Sequence, residues 1–260
     1  SNAGSSIITG ASIINDANMT VKSTGVQGFR SNSSLPGYLK FTNNNIIDIE
    51  VVLLKIVSRD YILMQQISKW RFLLGRQIKI LAEFPSQRTV DRRIKILKEA
   101  GYIKGAYKLY GVPALYFATN KAKNVFNLDF VTTDVKIARI VHDIAVVDTA
   151  IYFMKKLKVV NIKSEREFRH DSGFKRDGHY PDFICNIGSA TYAVEIEMTV
   201  KNKNVLENSI KKNYLSYDNQ VWVVPKDKTK IWTVLEKSKN TYSNIFLISL
   251  EEVISYVKTL

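Results

Sequence analysis

Tyr192-Ala193-Val194-Glu195-Ile196-Glu197-Met198-Thr199-Val200-Lys201 alternates without interruption. Val194, Ile196, Met198 and Val200 fall on one side of a period-2 strand, and Glu195, Glu197, Thr199 and Lys201 on the other. An apolar back with an acidic front describes a half-buried strand. Just upstream, Tyr180-Pro181-Asp182-Phe183-Ile184 sets one carboxylate at the head of a second β-like segment. Adjacent strands lie about 4.8 Å apart, so Asp182 and the Glu195/Glu197 pair can converge. The pattern reads either as a cation site or as a polar sheet face.

Working outward, Thr132–Leu157 carries a broad helical stripe of Ile137, Ile140, Val141, Ile144, Val147, Ile151 and Met154. Val159–His170 reads as a strand with Glu165, Glu167 and Arg169 on one face. Tyr180–Ile187 and Thr191–Lys201 read as the next two strands, joined by a turn around Gly188. A helix over Asn204–Tyr217, an apolar strand at Val221–Val224 stopped by Pro225, a helix at Lys230–Lys237, a strand at Asn244–Ser249 and a helix at Leu250–Lys258 complete the order. The expected architecture for residues 132–260 is a mixed sheet flanked by helices, and the chain as a whole is α/β, or α+β overall.

Residues 1–45 are rich in Ser, Asn, Gly and Thr and read as a polar N-terminal arm that begins with a cloning scar, Ser1-Asn2-Ala3. A short strand at Ser6–Thr9 or Ser12–Asn15 is expected within it. From Ile46 the apolar residues Ile46, Ile49, Val52, Leu53 and Ile56 have helical spacing, Tyr61–Trp70 repeats that spacing, and Arg71–Phe84 is helical in part until Pro85 stops it. Ser86 offers an N-cap to a further helix that Gly101 closes. Two short strands around Gly111 follow. Helices followed by a β-hairpin give residues 46–122 the look of a winged helix-turn-helix.

The net charge of +14 and a pI near 9.6 call for a polyanionic partner, double-stranded DNA before an anionic membrane. Between Ile46 and Asn120 there are thirteen Lys and Arg against six Asp and Glu, so half of the excess lies in under a third of the chain. Gln87, Arg88, Thr89, Arg92 and Arg93 stand near the start of the third helix, where a recognition helix meets base edges. Lys104, Lys108 and Tyr110 in the hairpin suit phosphates or the minor groove. No transmembrane run or signal peptide is legible, so no membrane partner and a cytoplasmic location are expected. The one cysteine, Cys185, rules out an internal disulfide framework and reads as a buried apolar residue. The sequence contains no phosphate-binding P-loop, dinucleotide fingerprint or nucleophile elbow, so nucleotide and NAD chemistry are not expected.

Pro181-Asp182 followed by Glu195-Ile196-Glu197 in this element order resembles the PD-(D/E)xK nuclease superfamily. That resemblance implies Glu165, Glu167, Asp182, Glu195 and Glu197 as catalytic acids, with Asp182 and Glu195 holding Mg or Mn. The sequence departs at Glu197, where the superfamily has lysine. Lys201 lies six residues past Glu195, about 20 Å along an extended strand, which leaves Lys203, Lys211 or Lys212 of the next helix as substitutes. His170 and His179 bound a Gly-rich loop that reads as a turn rather than as a metal site.

With the winged helix, the V-H-D-I-A-V-V-D helix containing His142 and S-E-R-E-F-R, the pattern from Ile46 to Tyr217 resembles the replication-relaxation family of bacterial plasmids and mobile elements. The resemblance implies a DNA-binding accessory protein in plasmid replication, relaxation or transfer. Other replication or relaxosome proteins would be its partners. The alternatives are a Mg-dependent DNA nuclease and a winged-helix repressor whose C-terminal domain forms a homodimer.

Overall fold

A computed structural model describes residues 55–173, 179–199 and 202–260, together with residues 22–23, 29–30, 40–41 and 47–48. The chain divides into two units, Ser1–Ile56 and Val57–Leu260. In the first, β1 (Lys22–Ser23) pairs antiparallel with β2 (Phe29–Arg30), and β3 (Lys40–Phe41) with β4 (Ile47–Asp48). Ile47 and Asp48 are therefore strand, not the helix their neighbours' spacing predicts. Ile46, Ile47, Ile49, Val51 and Val52 are β-branched, and such side chains favour a ladder when one is offered. Residues 55 and 56, the end of that expected helix, have no regular structure, while residues 46 and 49–54 and the strands expected at 6–9 or 12–15 lie outside the described residues.

The second unit opens with α1 (Ser58–Trp70), which buries Leu63, Met64, Ile67 and Trp70 on one side. Asp60 begins it by accepting a hydrogen bond from Val57 N–H at 2.8 Å. A short β5 (Leu73–Leu74) leads into α2 (Gly75–Leu81). Pro85 and Ser86 then start α3 (Gln87–Glu99), whose first turn is closed by Ser86 Oγ accepting from Thr89 N–H. Gly101, at φ +75°, ends it in the left-handed region that a residue without Cβ tolerates. β6 (Ile103–Ala106) and β7 (Leu115–Ala118) form an antiparallel hairpin, and β5 adds to β7 to give the order β5-β7-β6. A helix the periodicity did not suggest, α4 (Asn120–Phe126), follows. Thr119 Oγ1 accepts from Ala122 N–H to cap it, and it buries only Ala122 and Phe126, too few to show a stripe.

The remaining elements are α5 (Ile137–Lys155), β8 (Ile162–Ser164), α6 (Glu165–Asp171), β9 (Phe183–Ile187), β10 (Ala190–Ile196), α7 (Lys203–Ser216), β11 (Asn219–Val224), α8 (Thr229–Ser238), β12 (Ile245–Ser249) and α9 (Leu250–Val257). The five-stranded sheet has the order β12-β11-β10-β9-β8. Its β8-β9-β10 portion is antiparallel, and β11 and β12 join in parallel through helical crossovers. The fold is α+β with a mixed sheet.

Two expectations fail here. The strand predicted over Val159–His170 stops at Ser164, because Ser164 and Glu167 form a capping box: Ser164 Oγ accepts from Glu167 N–H, and Glu167 Oε2 accepts from Ser164 N–H at 2.8 Å. Glu165, Glu167 and Arg169 thus sit on a helical turn, not on one strand face. The strand predicted to reach Lys201 ends at Ile196, although Glu197 N–H still donates to Val223 O at 2.9 Å.

α5 leaves Ile137 and Val141 exposed near its start and is buried on nearly every side from Ala145 to Phe153. Asp148 on it receives both Arg76 Nη1 and Nη2 at 2.7 Å and Gln77 Nε2 at 2.8 Å, all from α2. Cys185 on β9 is 2% exposed, and burial pushes its thiol up to about 12. The native protein at pH 8 should therefore leave a thiol-reactive reagent unconsumed, and reaction should appear only with denaturant. Stoichiometric labelling without denaturant would contradict this placement. Among the described residues no helix is long and apolar enough to cross a membrane.

Candidate nucleic-acid interface and carboxylate site

Helix α3 turns one face inward through Val90, Ile94 and Leu97 and leaves Arg88, Arg92, Lys95 and Lys98 exposed on the other. The hairpin lies beside it. A Cβ built on Gly75 would meet Gln87 Nε2 at 2.8 Å and Tyr116 at 3.8 Å. One built on Gly105 would meet Tyr116 at 3.3 Å and Lys98 Nζ at 3.4 Å. The start of α3, its exposed lysine and the strands of the hairpin are therefore one continuous surface, and the two glycines permit the close approach.

The residues expected to touch DNA divide on this surface. Arg88, Arg92 and Lys104 are exposed. Gln87 donates from Nε2 to Asp91 Oδ1 at 2.9 Å. Lys108 pairs with Asp134 at 3.0 Å. Thr89 faces back into the cap, its Oγ1 donating to Ser86 O at 2.6 Å. Arg93 turns inward: its Nε donates to Asp60 Oδ1 at 2.7 Å and its Nη2 to Asp60 Oδ2, and Asp60 is fully buried. Arg93 ties α3 to the start of α1 instead of reaching outward with Arg92. Neighbouring positions on a helix point about 100° apart, so the run Arg92-Arg93 cannot put both guanidiniums on one face.

The carboxylates are also sorted by the fold. Asp182, just before β9, accepts from Ile196 N–H at 2.8 Å through Oδ2, and its backbone carbonyl accepts from Glu165 N–H at 3.0 Å. His142 on α5 lies between acceptors: Nδ1 is 3.4 Å from Asp143 Oδ1, and Nε2 is 3.1 Å from Ile196 O and 3.4 Å from Asp182 Oδ2. Acceptors at both ring nitrogens require both to carry protons. Burial opposes that charge, but the hydrogen bonds and charges of Asp143 and Asp182 outweigh it and raise His142 to about 10.

Glu195 on β10 faces α7, where Asn213 Nδ2 donates to its Oε1 at 3.3 Å and His179 Nε2 lies 3.2 Å away. Burial, together with the nearby Asp182 charge, pushes the Glu195 carboxyl up against the pull of His179. Asp182 and Glu195 are thus electrostatic neighbours, as the two-strand pattern suggested. Glu165 opens α6 in a narrow cleft with Asp182, Asp143, Arg71 and Arg166, and it pairs with Arg71 at 2.9 Å and Arg169 at 3.0 Å. Glu167 is used by the cap and by Lys69 at 3.3 Å. Glu197 is buried, its Oε1 accepting from Thr199 N–H at 3.3 Å.

Arg71 and Arg166 had no signal in the sequence. Arg71 ends α1 at φ 72° and ψ −48°, a conformation costing about 1–3 kcal/mol that is held where the side chain enters the cleft. Arg166 donates to Ser68 O at 2.8 Å; burial and the Arg71 charge push it down to about 10. Neither a strained backbone nor a partner ninety residues away leaves a local pattern.

A hard cation such as Mg²⁺ wants two or three carboxylates with oxygens turned to a common point. Asp182 is instead matched by an imidazolium and a backbone amide, and Glu195 by an amide and a histidine. Among the described residues no three His, Cys, Asp or Glu side chains converge as a metal set. In this arrangement the donors do not fit Mg or Mn. Lys201 lies outside the described residues, as do the side chain of Lys203 and most of the loop from His170 to His179.

Comparison with protein-family models, curated proteins and solved structures gives no match.

Proposed function

We propose that this chain is a DNA-binding accessory protein of a mobile genetic element, acting in plasmid replication, relaxation or transfer through a winged helix, with a nuclease-like sheet that does not cut. The observation that carries the reading is the continuous basic surface of α3 and the β6–β7 hairpin. The order α1-β5-α2-α3-β6-β7 is that of a winged helix-turn-helix, in which the third helix enters the major groove and the hairpin follows the backbone. Arg88 and Arg92 are its base-edge or phosphate contacts, and Lys104 a phosphate contact. Duplex DNA is the main partner, and replication or relaxosome proteins are the protein partners the reading implies.

The order α5-β8-β9-β10-α7-β11, with α6 inserted after β8, supports the resemblance to a PD-(D/E)xK nuclease. With His142 supplying positive charge beside Asp182, and Glu197 where a lysine is needed, the sheet serves as scaffold for the cleft. The catalytic alternative has a direct test. Supercoiled plasmid incubated with the protein and Mg²⁺ or Mn²⁺ should stay supercoiled, for the native chain and for Asp182→Asn alike. A nicked product that Asp182→Asn abolishes would restore the nuclease reading. The repressor alternative requires a second copy for a two-half-site operator, and a monomer on and off DNA by light scattering would count against it.

A further inference from the structure

The hairpin between β6 and β7 carries more than lysines. Its loop runs from Tyr107 to Ala114, and its side chains alternate in fate. Leu109 and Val112 turn inward and pack on the cluster of Phe72, Leu74, Leu115, Phe117 and Ile140. Lys108 is tied to Asp134 at 3.0 Å, and the Val112 N–H donates to Leu109 O at 3.2 Å. Gly111, at φ +75°, makes the turn. The tip is thus anchored at 108, 109 and 112. Against that fixed base Tyr107 is 83% exposed and Tyr110 103% exposed, the two most exposed large hydrophobic side chains among the described residues bar Val160 at 85%.

We propose that these two tyrosines stack on unpaired bases, so that the preferred partner is a junction between duplex and single-stranded DNA. The proposal rests on the winged-helix reading and adds the kind of DNA it takes. Four features support it. Both rings stand on an anchored loop, so ordering them on a ligand costs little further backbone freedom. The surrounding surface is basic, with Lys98 over Gly105 and Lys104 exposed on β6, which suits phosphates flanking a stacked base. Every base has a π-face that a tyrosine can cover, without regard to sequence. In an intact duplex those faces are hidden in the stack, and only a fork, gap or flap exposes them beside a groove that α3 can occupy. Tyr116, opposite Gly105 in the hairpin, also reaches the Gly75–Gln87 corner at the start of α3. The tip and the helix therefore belong to one surface and can engage the two sides of one junction.

The test compares the full-length chain on a labelled blunt duplex and on the same duplex with a single-stranded fork, by fluorescence anisotropy at one salt concentration. The native protein should favour the fork by about tenfold. Tyr107→Ala with Tyr110→Ala should lose the preference, binding the fork no more tightly than the blunt duplex. Tyr107→Phe with Tyr110→Phe should keep it, because stacking needs the ring and not the hydroxyl. Equal native affinity for both DNAs, or a preference unchanged in the alanine variant, overturns the proposal. So does loss of preference in the phenylalanine variant. Co-sedimentation with vesicles of anionic phospholipid that the alanine variant abolishes would assign the tip to a membrane surface instead. Failure of the underlying winged-helix reading looks different: neither DNA is then bound in a salt-dependent way.

Discussion

Asp60→Ala is expected to lower the unfolding free energy by about 3–5 kcal/mol, because it removes the fully buried carboxylate to which the Arg93 guanidinium, 18% exposed, donates. Asp60 is fully buried, and its two oxygens are shared between Arg93 and the Val57 N–H that begins α1. The substitution thus removes a buried ion pair and a helix cap together. Removing Arg93 leaves the opposite charge stranded, so Arg93→Ala should cost a similar amount. Replacing both with apolar residues of similar volume should recover much of the loss, since the desolvation penalty of the pair disappears with it. For a folded unit of this size the single substitutions translate into a melting temperature lower by roughly 6–20 °C. If Arg93→Ala instead melted like the native protein and lost DNA affinity as Arg92→Ala does, Arg93 would point outward and the packing of α3 on α1 would be wrong.

The second large effect depends on pH. His142 has an ordinary value of 6.5 and is raised to about 10 in the folded chain. Its folded form binds the proton more tightly, so its stabilisation is fully present below pH 6.5 and declines as pH rises to about 10. The slope in that window is at most about 1.4 kcal/mol per pH unit. With the side chain 25% exposed, solvent screening brings the whole contribution to on the order of 2–4 kcal/mol. Urea unfolding of native and His142→Ala proteins in EDTA should therefore differ most near pH 6 and converge near pH 10. A gap that does not change across the window would mean that Asp143 and Asp182 do not hold the imidazolium.

Much of this fold was legible in the sequence because its signals are local. Ser86 and Gly101 bound α3, Gly188 turns β9 into β10, and Pro225 follows the last residue of β11. The neighbouring places of Asp182, just before β9, and Glu195, on β10, follow from the alternation and the turn at Gly188, since the antiparallel register sets Phe183 opposite Val194. What failed were places where a local pattern had two solutions. Ser164-Glu165-Arg166-Glu167 alternates acid and base like a strand face, yet it is also a capping box, and the cap prevailed. Arg92 and Arg93 look alike as letters. Only the buried Asp60, thirty-three residues away, separates the surface residue from the internal one. The His142 contacts join α5 to β10 over fifty-four residues, and no spacing rule reaches that far.

The most direct test of the proposed DNA-binding surface is the salt dependence of binding to a duplex, measured by fluorescence anisotropy from about 50 to 200 mM salt. Each phosphate contact adds about 0.9 to the slope of log affinity against log salt. Arg88→Ala with Arg92→Ala should weaken binding about ten- to a hundredfold at the lower salt and flatten the slope by about 2, while its unfolding transition stays at the native position. Unchanged affinity and slope in that variant would remove α3 from the interface and with it the winged-helix account.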